Sequence, residues 1–150
     1  MIEVVVGAAV FSLILGTLVT ASNWYLSGAG ESIQTLKAAY LAEEGVEGIK
    51  IIRDNGWSNI STLSTTSNLY LVFSQVSGQI VPQITTTATS TDGFLRTIRL
   101  FDVRRDAQGR IVASGGTLDS QTKRADVTVA WKGKTATTTK ILSTYIAQIQ

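Results

Sequence analysis

The sequence predicts an α+β fold, with a long N-terminal helix whose apolar half projects and whose amphipathic half packs on an antiparallel β-sheet. Three observations carry this. Residues 4–30 contain no charged side chain, residues 31–53 repeat apolar side chains at intervals of three and four, and the chain from residue 68 onward alternates with period two.

The first segment is built from Val, Ala, Leu, Ile and Phe, with Val4, Val5, Val6, Val10, Phe11, Leu13, Ile14, Leu15, Leu18 and Val19 as its bulk. As a helix, residues 4–30 would extend roughly 40 Å at about 1.5 Å per residue, more than the roughly 30 Å hydrocarbon core of a bilayer. It is long enough to cross a membrane, and Trp24 and Tyr25 fall where interfacial rings would lie. A buried core helix is the alternative, but this segment is apolar on every face. No Lys or Arg precedes the run, and the first basic residue is Lys37, which is not the pattern of a cleaved signal peptide and leaves the positive-inside rule without a handle. Glu3 stands one position before the run. A carboxylate at bilayer depth costs on the order of 2.5–3.5 kcal/mol, so Glu3 either sits at the interface near the positive end of the helix dipole or meets a cation from a neighbouring subunit.

In the next segment Ile33, Leu36, Ala39, Ala42, Val46, Ile49 and Ile52 form one stripe, with Glu31, Lys37, Glu43, Glu44, Glu47 and Lys50 off it. Ile33, Leu36, Val46, Ile49 and Ile52 are the expected helix–sheet packing residues. No proline interrupts residues 1–53, so the two halves can form a single helix roughly 75 Å long. Glycines at 7, 16, 45 and 48 each cost about 1 kcal/mol relative to alanine. Gly16-Thr17 and Ser22-Asn23 are the expected points of bending or local unwinding, with Gly16 the main source of flexibility. Gly45 and Gly48 read either as tolerated or as places of tight packing where another backbone approaches closely. The expected organisation is an apolar helix half at 1–27 and a globular domain at 28–150, divided into a helix half (28–53), a loop (54–67) and a sheet (68–150).

Asp54-Asn55-Gly56 is a turn signal that ends the helix, Trp57 follows, and the stretch 61–67 is polar. Strand patterns then cover 68–75, 94–103, 126–131 and 141–146, the second alternating as Phe94, Arg96, Ile98 and Leu100. Asp106-Ala107-Gln108-Gly109 joins 94–105 to 110–113 as a hairpin, and Lys132-Gly133-Lys134 joins the last two strands. The Thr-rich tracts at 85–91 and 135–139 suit exposed strand and loop, with glycosylation the alternative, and Asn59-Ile60-Ser61 matches an N-glycosylation acceptor.

Composition narrows the chemistry. The chain has no cysteine and no histidine, so disulfides, thiolate sites, cysteine nucleophiles and the commonest general base are absent. Glu43, Glu44 and Glu47 are the only dense carboxylate cluster, and on one helix they read as a solvated face. No catalytic, cofactor or metal site is expected. Up to residue 91 there are three basic against six acidic residues, net −3; beyond it there are ten against five, net +5. That division suits self-association. DNA binding is the weaker reading, because Arg104-Arg105 and Lys123-Arg124 are only pairs, without aromatic interleaving along the sequence.

Met1-Ile2-Glu3-Val4-Val5-Val6, followed by the apolar helix, resembles the N-terminus of mature type IV pilins and pseudopilins. Tyr40-Leu41-Ala42-Glu43-Glu44-Gly45-Val46-Glu47 through Ile52-Arg53-Asp54 and Trp57 resembles the helix end of one bacterial pilin-like subgroup, as do Gly93-Phe94-Leu95-Arg96-Thr97-Ile98 and Val127-Thr128-Val129-Ala130-Trp131 in the sheet. The resemblance implies a structural subunit with no enzymatic activity, held in the cytoplasmic membrane and then assembled into an extracellular pilus. It implies partners as well: a prepilin peptidase that cleaves a leader and methylates the new terminus, and an assembly ATPase and platform protein. In the family the apolar helices bundle in the filament core and the glutamate, here Glu3, pairs with the terminal amine of the adjacent subunit. This sequence departs from the pattern in three respects. The family's mature start, usually phenylalanine, would fall two residues before Met1; no proline kinks the helix, leaving Gly16 in that role; and no disulfide can close the C-terminal loop. The alternatives are a monomeric membrane-anchored extracytoplasmic adhesion or binding domain, and a minor pseudopilin of a secretion or DNA-uptake system.

Overall fold

Helix α1 (Ile2–Asp54) is continuous over 53 residues in a computed structural model that describes residues 1–149 of the chain. Glu3 in its first turn and Arg53 in its last complement the helix dipole. The unwinding expected at Gly16-Thr17 and Ser22-Asn23 does not occur, because helical structure continues through both. The local hydroxyls are accommodated within the helix. Thr17 Oγ1 donates to the Ile14 carbonyl at 2.8 Å and Thr20 Oγ1 to that of Gly16 at 2.9 Å, so neither needs a freed backbone group.

The chain separates into two compact units, Met1–Leu36 and Lys37–Gln150. The division lies later along the helix than the boundary expected at 27/28. In the first unit α1 is exposed almost throughout.

In the second unit α1 ends at Asp54, where Gly56 adopts φ +138° and donates its amide to the Arg53 carbonyl at 2.9 Å. The segment read as a loop contains a short helix, α2 (Ser58–Ser61), with Ile60 fully buried. Four residues are too few for a periodicity to register in the sequence. The strands are β1 (Tyr70–Val76), β2 (Gln79–Thr85), β3 (Ser90–Thr91), β4 (Phe94–Arg105), β5 (Ile111–Val112), β6 (Thr117–Lys132) and β7 (Thr137–Ala147). They form two antiparallel sheets, a β1–β2 hairpin and a five-stranded sheet ordered β3-β4-β6-β7 with β5 also on β4. Strand β2 escaped the sequence reading because Pro82 interrupts it; a proline is tolerated here in an edge strand. The hairpin meets the larger sheet through the Leu69–Ile98 bridge, whose backbone bonds measure 2.9 and 2.8 Å.

One face of the five-stranded sheet and the hairpin bury the core. Phe94, Ile98 and Leu100 of β4 join Ala125, Val127, Val129 and Trp131 of β6 and Ile146 of β7, against Ala42, Val46, Ile49 and Ile52 of α1. Burying Val46, Ile49 and Ile52 contributes roughly 5–9 kcal/mol at about 1.5–3 kcal/mol per side chain, before the entropy of ordering them. Ile33 and Leu36, expected in the same packing, are instead 57% and 55% exposed. The stripe continues by periodicity, but the buried part of α1 begins only at Ala38.

Where β4 and β6 pair, the register shifts between Asp102 and Val103; Thr122 of β6 pairs only with Ala147 of β7, and Ser120 and Gln121 are left without a strand partner. Their carbonyls are thereby freed for other partners. Ser120 accepts from the Trp57 indole at 3.1 Å and Gln121 from the Gln148 amide at 2.8 Å. The bulge therefore fastens the α1–α2 connection and the end of β7 to the sheet.

Candidate functional site

Two groups of residues stand out, the apolar run of α1 and the junction where α1 meets the sheet. In the first, the large apolar side chains from Val4 to Val19 are 45–75% exposed, including Phe11 and Leu13. The most apolar 18-residue window has none of its residues buried, and the helix is long and apolar enough to cross a membrane. Trp24 and Tyr25 are also exposed. Glu3 lies in the first turn. Gly16 has open space around it, so an alanine there would meet no neighbour.

The junction is organised by an arginine. The alternation of β4 points residue 96 into the core face, and an arginine there must find partners for a buried charge. Arg96 is 8% exposed. Its Nη1 donates to Glu44 Oε2 at 2.5 Å and to the Leu41 carbonyl at 3.1 Å; its Nη2 reaches the Leu71 carbonyl at 3.5 Å. The guanidinium carbon lies 5.7 Å from the Phe73 ring centroid. One side chain thus links α1, β1 and β4. Leu41 already serves the helix, but a carbonyl has two lone pairs and can take a second donor. Arg96 Nε has no hydrogen-bond partner among the described residues.

Two glycines make this packing feasible. A Cβ at Gly45 would lie 2.7 Å from Val127 Cγ1 and 3.1 Å from Arg96 Cδ; one at Gly48 would run into the Leu71 side chain. Both glycines sit in tight packing, but what approaches them is side chains of the sheet and the hairpin, not another backbone.

Away from the junction, Asp119 accepts from Arg105 Nε at 2.7 Å and from the Gln121 amide at 2.9 Å, and Asp106 accepts from the Gln108 and Arg110 amides. The Arg105 side chain holds the Asp119 carboxyl below its usual range, and the Arg110 backbone amide does the same for Asp106. Asp119 braces the irregular part of β6, and Asp106 braces the turn between β4 and β5. Of the helix acids, Glu44 is committed to Arg96 and Glu47 to Lys50 at 2.7 Å. Among the described residues no three acidic side chains assemble into a metal-binding group. Asn59 is exposed within α2, and the Thr-rich tracts are exposed or half-buried loop and strand.

In the sequence Arg96 is visible only as one position of the β4 alternation. The signal was an arginine at an inward position between Phe94 and Ile98, but its partners Glu44, Leu41 and Leu71 lie 25 to 55 residues away.

Comparison with known protein families, with characterised proteins and with solved structures returns no match to this chain.

Proposed function

We propose that this chain is a structural subunit of a type IV pilus or a related pseudopilus, assembled through its N-terminal apolar helix and without catalytic activity. The observation that carries the reading is the exposed apolar surface from Val4 to Val19 in a helix that has Glu3 in its first turn and ends in the core of an α+β unit. Such a surface needs cover, either lipid or other apolar helices. In this reading it has both in turn: the cytoplasmic membrane before assembly, then the helices of neighbouring subunits. Glu3 pairs with the terminal amine of a neighbour, which offsets the cost of burying its charge. The N-terminal resemblance to pilins supports the same assignment, together with processing by a prepilin peptidase and display on the cell surface.

The test is Glu3→Ala in cells, with membrane fractionation and electron microscopy of sheared filaments. The variant is expected in the membrane fraction at normal level with filaments lost or sharply reduced. Normal filaments would remove the pairing role. Replacing residues 1–26 with an unrelated transmembrane helix separates the main alternative, since a tethered monomeric binding domain would keep its function and a filament subunit would not assemble.

A further inference from the structure

The five-stranded sheet has a second face, opposite the core, on which the register places aromatic and cationic side chains side by side. Arg99 and Phe101 of β4, Arg124 and Asp126 of β6, and Ser143 and Tyr145 of β7 form two adjacent rows: Arg99 pairs with Asp126 and Asp126 with Ser143, and Phe101 pairs with Arg124 and Arg124 with Tyr145. Alternation sends these side chains away from Ile98, Leu100, Ala125, Val127 and Ile146, which are buried on the other side. The Arg124 guanidinium carbon lies 4.4 Å from the Phe101 ring centroid and that of Arg99 lies 5.3 Å from it. Tyr145 is 53% exposed, and Ile141, on the same face, 59%. Arg99 and Ser143 are exposed as well, while Phe101, Arg124 and Asp126 are half-buried.

We infer that this face is a binding surface for single-stranded nucleic acid. A cation next to an aromatic ring is the pairing that single strands require, with phosphates meeting guanidinium groups and bases stacking on rings or on guanidinium planes. Arg99 has no ion pair among the described residues, so its charge is available to a phosphate. Arg124 is 3.2 Å from Asp126, and that carboxylate opposes an anion. It also holds the Arg124 guanidinium against Phe101, presenting a flat, partly neutralised plane that suits a base better than a bare polyanion. Phe101 and Tyr145 are separated by one intervening strand, roughly 9.5 Å at the usual 4.7–4.9 Å strand spacing. A duplex keeps its bases stacked on one another, whereas the unstacked bases of a single strand can lie on the Tyr145 ring and on the Arg124 plane held over Phe101. The chain beyond residue 91 carries the net +5 that draws such a ligand in.

The experiment is fluorescence anisotropy of the full chain in detergent micelles, titrated into a labelled oligothymidylate of about 20 nucleotides. An abasic strand of the same length, a duplex and heparin serve as parallel probes. Salt-sensitive binding is expected, with the oligothymidylate bound several-fold more tightly than the other three. Tyr145→Ala should weaken it roughly five- to hundredfold and Tyr145→Phe should restore it, as for loss and return of one stacking platform. Arg99→Gln should flatten the log–log salt slope by about 0.7, one phosphate contact. Thermal midpoints of the variants, unchanged because both side chains are exposed, establish that the fold is intact. Absence of binding overturns the proposal. So does equal affinity for the abasic strand or heparin with no effect of Tyr145→Ala, which would make the face a general polyanion surface, and so does preference for the duplex.

Discussion

Replacing Gly45 by alanine should destabilise the folded domain, although alanine is the better helix former by about 1 kcal/mol. The added Cβ would sit 2.7 Å from Val127 Cγ1 and 3.1 Å from Arg96 Cδ. Neither neighbour yields easily. Val127 is fully buried, and its β-branched side chain has little rotamer freedom on the strand; Arg96 is fixed at its far end by Glu44 and the Leu41 carbonyl. Overpacking of this kind costs about 1–3 kcal/mol, and two obstructed atoms place this site in the upper part of that range. Subtracting the propensity gain leaves a net loss of about 1–2 kcal/mol. The assay is urea denaturation of the full chain in micelles, followed by tryptophan fluorescence, with Gly30→Ala as the control because open space surrounds Gly30. Gly45→Ala should lower the midpoint and Gly30→Ala should not. In a Val127→Ala background the Gly45→Ala penalty should shrink or change sign, because the obstructing methyl is gone. If Gly45→Ala stabilises the domain, or if its cost is the same with and without Val127, the close-packing account of this junction is wrong.

Two further outcomes follow from the charged groups. Glu44→Ala should cost about 1.5–3 kcal/mol, the range for a hydrogen bond to a charged group, because it leaves Arg96 buried with only carbonyl acceptors. Arg96→Met should cost less, since Glu44 is half exposed and regains water while an unpartnered buried Nε is removed; urea midpoints in the reverse order would refute this. Asp119 and Asp106 have folded-state pKa values below their unfolded ones. Their stabilisation is therefore complete above the unfolded value near 3.9 and is lost as pH falls through the lower folded value. Thermal midpoints should hold from pH 7 to about 5 and fall below 4, and Asp119→Asn should flatten that acid limb; an unchanged limb in the variant would show that the Arg105–Asp119 pair does not contribute.

What the sequence determined by itself is whatever depends on local order. The uncharged run from Val4, the three-and-four spacing that ends at Ile52, the stop at Asp54-Asn55-Gly56 and the hairpin at Asp106–Gly109 are all periodicities or turn signals within a few residues, and each reappears at its place in the structure. The α+β class followed from them. The tertiary structure decided what depends on pairing across distance. Ile33 and Leu36 fit the stripe as well as Ile49 does, yet burial begins at Ala38, because a periodicity states which face is apolar and not how far a partner extends along it. The same holds for the glycines, whose role is set by Val127 and Leu71, and for the bulge carbonyl of Ser120, which no local signal assigns to Trp57. Charge shows the difference most clearly. Along the chain Arg124 has no aromatic neighbour. Strand register sets it between Phe101 and Tyr145, since antiparallel pairing makes neighbours of residues that are twenty or more positions apart.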